Sequence, residues 1–264
     1  MKQEQPETPQ GIAKEKHVEI GNYLAIMSGK GGVGKSAVTS LLAAGMKKRG
    51  LEVGILDADI TGPSIPRMMG VHDRVTVEEE ALIPPLSAGG VKVISANLIL
   101  ENEDDALIWR GPMVSNCLRQ FWEETNWGKL DYLLIDLPPG TSDAPLTVMQ
   151  LLPATDVLII TSPQVLASMI VRKAINMARR VGSRVIGVVE NMGTARCPHC
   201  GEAFELFRGE GTEQMVAKMK VPLLGKLPFD QRISELSDLG KIESYDAEEI
   251  DQLVGSVIEL TSKT

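Results

Sequence analysis

Cysteine is scarce: three residues in 264, at positions 117, 197 and 200. That excludes the disulfide framework of a small secreted domain. In a reducing compartment it makes a closely spaced pair a candidate for metal or redox work. Long apolar runs are missing too. No stretch reaches the roughly 18 residues of a membrane span, and the first residues carry no signal-peptide hydrophobic region. The sequence therefore predicts a cytoplasmic protein with no membrane partner. Positive charge is in deficit, since 27 Lys and Arg face 35 Asp and Glu for a net charge of −8. This balance argues against a general affinity for nucleic acid or anionic lipid. Neither an internal repeat nor a low-complexity tract is present. What remains is the composition of an ordinary globule, 43% hydrophobic and 23% charged, with a length that suits one α/β domain.

Residues 29–36 read Gly-Lys-Gly-Gly-Val-Gly-Lys-Ser, which fits the phosphate-loop pattern G-x-x-x-x-G-K-[ST] at every fixed position. A short apolar run, Tyr23 to Ser28, precedes it with a strand's length. Ala37 to Met46 follows with a helix's apolar spacing. Glycines let consecutive backbone N–H groups turn toward one point, and a helix N-terminus adds partial positive charge, so polyphosphate is the natural guest. Gly29, Lys30, Gly31, Gly32, Val33, Gly34, Lys35, Ser36 and Ala37 are the candidate ATP-binding residues. Lys35 is expected to reach the β- and γ-phosphates, and the Ser36 hydroxyl to ligate Mg²⁺.

Residues 1–16 are polar and proline-bearing, and read as a flexible tail ahead of a single domain over 17–264. Strand-like and helix-like segments then alternate. Strands are predicted at 22–27, 53–57, 91–96, 132–137, 156–161, 184–189 and 222–226. Helices are predicted at 35–49, 112–124, 164–181, 210–219 and 246–261, with shorter ones at 144–151 and 231–239. Several strand candidates are nearly continuous apolar runs, as expected for strands covered on both faces. The predicted fold is α/β, a doubly wound, mostly parallel sheet flanked by helices, with its ligand site at the C-terminal strand ends.

Two of these strands end in aspartate. Asp136 closes Leu133-Leu134-Ile135-Asp136, an apolar run plus Asp suited to holding a Mg²⁺ shell through water. Asp57-Ala58-Asp59 closes another. Cys197-Pro198-His199-Cys200-Gly201 presents two thiolates in a turn, as zinc knuckles and iron–sulfur sites do. Two ligands cannot complete a tetrahedral S₄ site, and no second C-x-x-C exists in the chain. A two-fold homodimer would supply four thiolates at its axis. A bridging [4Fe–4S] cluster, a bridging structural Zn²⁺, a thiol–disulfide pair and an inert turn all remain open on this reading. Cys117, inside a helix candidate, reads as a small buried hydrophobe.

The loop with its extra lysine, Lys30-Gly31-Gly32-Val33-Gly34-Lys35-Ser36, resembles the deviant Walker A loop of the group that includes MinD, ParA and the nitrogenase iron protein. With Asp57-Ala58-Asp59-Ile60-Thr61-Gly62-Pro63-Ser64, Trp109-Arg110-Gly111-Pro112-Met113, Asp136-Leu137-Pro138-Pro139-Gly140-Thr141-Ser142-Asp143, Glu190-Asn191-Met192 and Cys197-Pro198-His199-Cys200, the order and spacing are similar to those of the Mrp-type ATPases, also called the ApbC or nucleotide-binding-protein family. The match covers roughly residues 20–245. This resemblance implies a homodimeric ATPase that carries a bridging [4Fe–4S] cluster on Cys197 and Cys200 and passes it to apoproteins. It further implies that Lys30 reaches the partner's ATP, that Asp59 positions the attacking water, and that the Gly140 N–H meets the γ-phosphate in a switch loop. Asn191 and the Leu227-Pro228-Phe229-Asp230 loop would contact adenine. The family's four-cysteine N-terminus and small accessory domain are not seen, which suggests a minimal prokaryotic form. Two rivals are weighed against this reading. One is a MinD- or ParA-like positioning ATPase, disfavoured by the acidic C-terminal segment Asp246–Val254. The other is a zinc-stapled, nucleotide-dependent switch.

Overall fold

The structure is a computed structural model and describes residues 19–60, 62–99, 111–141, 143–151, 155–197, 199–207 and 211–262. The expected tail and positions 61, 109, 110, 142 and 198 of the motifs above lie outside these residues. Along the chain run β1 (Glu19–Ser28), α1 (Lys35–Lys48), β2 (Val53–Asp57), α2 (Ile65–Met69), β3 (Thr76–Glu78), β4 (Ala81–Ile83) and β5 (Lys92–Ile94). These are followed by α3 (Gly111–Glu123), β6 (Lys129–Asp136), α4 (Asp143–Leu151), β7 (Asp156–Thr161), α5 (Val165–Arg180) and β8 (Arg184–Arg196). The last elements are β9 (Ala203–Glu205), α6 (Thr212–Met219), β10 (Leu223–Phe229), α7 (Gln231–Asp238) and α8 (Glu248–Thr261).

Seven strands form a parallel sheet in the order β10-β8-β7-β1-β6-β2-β5, with β9 added antiparallel to the far end of β8. A separate two-stranded ribbon pairs β3 with β4. From β1 the chain crosses to β2 on one side, and after β6 it continues to β7 on the other. The strand order therefore reverses at β1, and ligands of such sheets bind in the crevice beyond the strand ends at that switch point.

Strand β1 shows why its apolar run is unbroken. Leu24 and Ile26 face a core shared with α1, α2 and α8. Ala25 and Met27 face a second core shared with α3, α4, α5 and α6. All four are fully buried, because successive side chains point to opposite faces and both faces carry helices. Each buried Leu or Ile contributes about 1.5–3 kcal/mol. Helix α8 places Ile250, Leu253, Val254 and Val257 in the first core and leaves Glu248, Glu249 and Asp251 outside. It is a packing helix with an acidic outer face. Among the described residues no helix is long and apolar enough to cross a membrane.

The structure extends the predicted elements in one place that matters. Strand β8 runs seven residues past its predicted end at 189 and turns back as β9, so the cysteine pair caps a hairpin instead of an isolated loop. The ribbon β3–β4 and the short α2 are further additions.

Candidate functional site

The loop between β1 and α1 sits at the switch point. Gly34, at φ +79°, takes the left-handed conformation that favours glycine. A Cβ there would also meet Asn191 Nδ2 at 2.4 Å, so that position has no room for a side chain. Helix α1 begins at Lys35 with no side-chain cap and no acidic residue in its first turn. Its leading N–H groups carry the partial positive charge that suits an anion.

Lys35 and Ser36 converge on one carboxylate. Asp136, at the end of β6 and fully buried, accepts from Lys35 Nζ at 2.5 Å and from Ser36 Oγ at 2.6 Å on Oδ2. Thr39, one turn further along α1, donates to Oδ1 at 2.8 Å. Three donors and one buried ion pair neutralise a charge that would otherwise be costly in the core. An ammonium, two hydroxyls and a carboxylate gathered at a helix N-terminus make the hard, oxygen-rich environment that a Mg²⁺–phosphate complex uses.

Asp57 lies beside Asp136 because the strand register pairs them across β2 and β6. Burial, and then the Asp136 charge, pushes its carboxyl up to about 8 against the opposing pull of Lys35. Asp57 accepts from Ser95 Oγ at 3.1 Å and from the backbone N–H groups of Asp59 and Ile65 at 3.2 and 3.4 Å. It thereby anchors the loop that carries Asp59. Half-buried Asp59 lines a cavity of about 270 Å³ together with Gly31, Ser36, Ser64 and Pro139. Gly140, at φ +97°, donates its N–H to the Ser28 carbonyl at 2.9 Å. Reaching a phosphate would require this bond to be exchanged.

On the other side of the loop, a cavity of about 380 Å³ is lined by Gly34, Val38, Asn191, Met192, Pro228 and Ile233. Asn191 is buried inside β8, not at a strand end, and donates from Nδ2 to the Val33 carbonyl at 2.9 Å. The next residue, Met192, has φ +61°, a rare conformation for a side chain of its size. The expected base contacts Asn191 and Pro228 thus share one cavity, and Asn191 ties it to the phosphate loop.

The cysteines stand apart from this buried network, at the tip of the β8–β9 hairpin. Cys197 N–H donates to the Glu202 carbonyl at 2.9 Å, and Gly201 N–H donates back to the Cys197 carbonyl at 2.8 Å. Gly201, at φ +73°, closes the turn. Backbone N–H groups of Cys200 and then His199 point at the Cys197 sulfur and hold its thiol below the usual range, favouring the metal-binding thiolate. Cys200 is exposed and Cys197 partly so, whereas Cys117 is buried and desolvation pushes its thiol up to about 12. Among the described residues no group of three or more His, Cys, Asp or Glu side chains is arranged to hold a metal ion.

Sequence reasoning missed Thr39, which carries no motif, and Gln164, whose side-chain carbonyl holds the Lys30 ammonium just before α5. The two residues of that contact are 134 positions apart, and no local pattern links them.

Comparison with known proteins bears on this geometry. Residues 19–261 match the ParA family model described as NUBPL iron-transfer P-loop NTPase. An iron-sulfur cluster carrier protein of Clostridium perfringens is 46% identical over 237 residues, covering 87% of this chain and 83% of that protein. Among solved structures, a nucleotide-binding protein from Archaeoglobus fulgidus in complex with ADP is 44% identical with a TM-score of 0.78, covering 87% of this chain and 90% of that one. The cell division ATPase MinD of Pyrococcus furiosus shares the fold at 23% identity, with a TM-score of 0.70 over 91% of this chain and 99% of its own.

Proposed function

The chain belongs to the ParA family of NUBPL iron-transfer P-loop NTPases, and from that premise we propose that it is an ATP-hydrolysing homodimer that carries a [4Fe–4S] cluster in the cytoplasm. The cluster is cargo, held by Cys197 and Cys200 of both copies and delivered to apoproteins. One observation carries this reading. Two thiols, one with a lowered proton affinity, project on a hairpin tip as half a ligand set, at the same end of the sheet as the phosphate loop. An isologous two-fold contact completes four thiolates without any further residue.

In this reading ATP lies along the N-terminus of α1, with its base in the cavity beside Asn191 and Pro228. Lys35 leaves Asp136 for the β- and γ-phosphates. Ser36 and Asp136 fit a Mg²⁺ ion by their chemistry, being a hydroxyl and a carboxylate already 2.6 Å apart, and the ion would neutralise phosphate charge. Asp59 orients water for attack on the γ-phosphorus as the bond to the bridging oxygen breaks. Lys30 exchanges its contact with Gln164 for the partner's nucleotide. Hydrolysis then biases the dimer between two arrangements that expose the cargo differently.

The test is the content of iron, zinc and acid-labile sulfide per dimer, in protein purified without oxygen and again after iron–sulfide reconstitution. About four irons and four sulfides per dimer, with a brown colour, are expected. About one zinc per colourless dimer and no iron uptake would overturn the carrier reading in favour of a zinc-stapled switch.

A further inference from the structure

The chain has four phenylalanines, and two of them, Phe204 and Phe229, are about half exposed at 49% and 47%. They stand in one row. Ala195 of β8 is the register partner of Phe204 in β9 and of Phe229 in β10. Register partners on neighbouring strands share a face of the sheet, so the two rings flank one small, buried alanine. The row belongs to an open groove of about 580 Å³ that also takes in Leu206, Tyr245, Arg196 and Arg232. Apolar surface gathered this way, with charged side chains beside it, has the make-up of a protein-docking patch.

Its position decides the occupant. Phe204 lies four residues past Cys200, and Arg196 adjoins Cys197, so a polypeptide in the groove comes within side-chain reach of the cysteines. Beyond the hairpin the groove is walled by Tyr245 and the start of α8, on the sheet face that holds α1 and α8. The proposed two-fold contact runs through the same hairpin tip. A recipient that takes over the cargo must reach that tip, which the groove adjoins along Arg196 and Phe204.

We infer that this groove docks an apolar segment of the recipient apoprotein beside Cys197 and Cys200, with a large side chain of that segment against Phe204. The inference rests on the carrier reading. Docking there brings the recipient's cysteines onto the cargo. Each Fe–S bond to Cys197 or Cys200 that breaks is replaced by one to a recipient cysteine. The recipient's thiol proton passes to the released thiolate, and no net oxidation occurs.

The experiment compares full-length wild type with a Phe204→Ser, Leu206→Ser double variant, using the apo form of a [4Fe–4S] ferredoxin as the recipient probe. Bound iron and sulfide, dimer mass by light scattering, ATP hydrolysis and the rate of transfer are measured. The expected result is transfer slowed about tenfold or more, with the other three readings unchanged, and most of the rate restored in Phe204→Leu, Leu206→Met. Unchanged transfer would overturn the inference. Loss of the dimer would overturn it too, assigning the groove to a second copy. Wild-type protein that takes up no iron would defeat the carrier reading itself, before any recipient is added.

Discussion

The phosphate-loop end of the sheet and the cysteine hairpin are built on opposite plans. At the first, Asp136 and Asp57 are fully buried, Lys35 nearly so, and their ionic and hydrogen bonds close within one chain. At the second, Cys200 is exposed and Cys197 partly so, on a turn fixed by its own backbone. A buried network must be satisfied internally, because an unpaired charge there costs several kcal/mol. An exposed pair of thiols has no such demand, and on the proposed reading a second copy completes its ligand set.

Substitutions at each end test how independent the two are. The largest effect is expected from Cys197→Ser. Iron after reconstitution should fall from about four per dimer to near zero while nucleotide affinity stays the same; iron retention would place the ligands elsewhere. Lys35→Ala should cut ATP hydrolysis by a factor on the order of 10³ and spare iron binding, as read by phosphate release and metal analysis. If iron were lost as well, the two ends would be coupled through folding. Asp59→Asn should lower hydrolysis about 100-fold with ATP binding retained, and an unchanged rate would remove the water-positioning role. The smallest effect concerns Asp57. Its folded-state carboxyl is raised from 3.8 to about 8, so it favours the fold at acid pH. That contribution declines as pH rises from about 4 and is gone above about 8. Asp57→Asn should therefore flatten the fall in melting temperature across that window, measured without magnesium or nucleotide. A pH profile identical to wild type would show that Asp57 is not the titrating group.

The difference between the two regions also explains what could be read in advance. The sheet announced itself because its strands are buried on both faces and so appear as apolar runs, Leu133-Leu134-Ile135 among them. The phosphate loop is a local pattern, visible whole. The end of β8 is neither. From Asn191 to Arg196 burial alternates, with Asn191, Gly193 and Ala195 covered and Thr194 and Arg196 exposed. The strand leaves the shelter of the helices there, so its sequence loses the apolar signal while its hydrogen bonds continue. The cysteine motif was legible, but the hairpin that presents it was not. Long-range partners were equally silent. Asp136 was expected at the metal, yet nothing in its neighbourhood foretold that Lys35, 101 residues away, would rest on it.

Met192 stands between the two regions along β8. It lines the cavity assigned to the base, follows the residue that grips the phosphate loop, and holds a left-handed backbone at φ +61°. For a residue of this shape that conformation stores about 1–3 kcal/mol. Five residues beyond lies Cys197, at the end of an arm of roughly 15 Å. On the carrier reading, a small displacement of Met192 by the nucleotide would become a larger one at the thiol. Met192→Gly would remove the strain, and because Met192 lines the base cavity, nucleotide affinity and iron content are measured alongside. Cargo release should then respond less to ATP, and a full ATP response in that variant would show that the motion travels by another route.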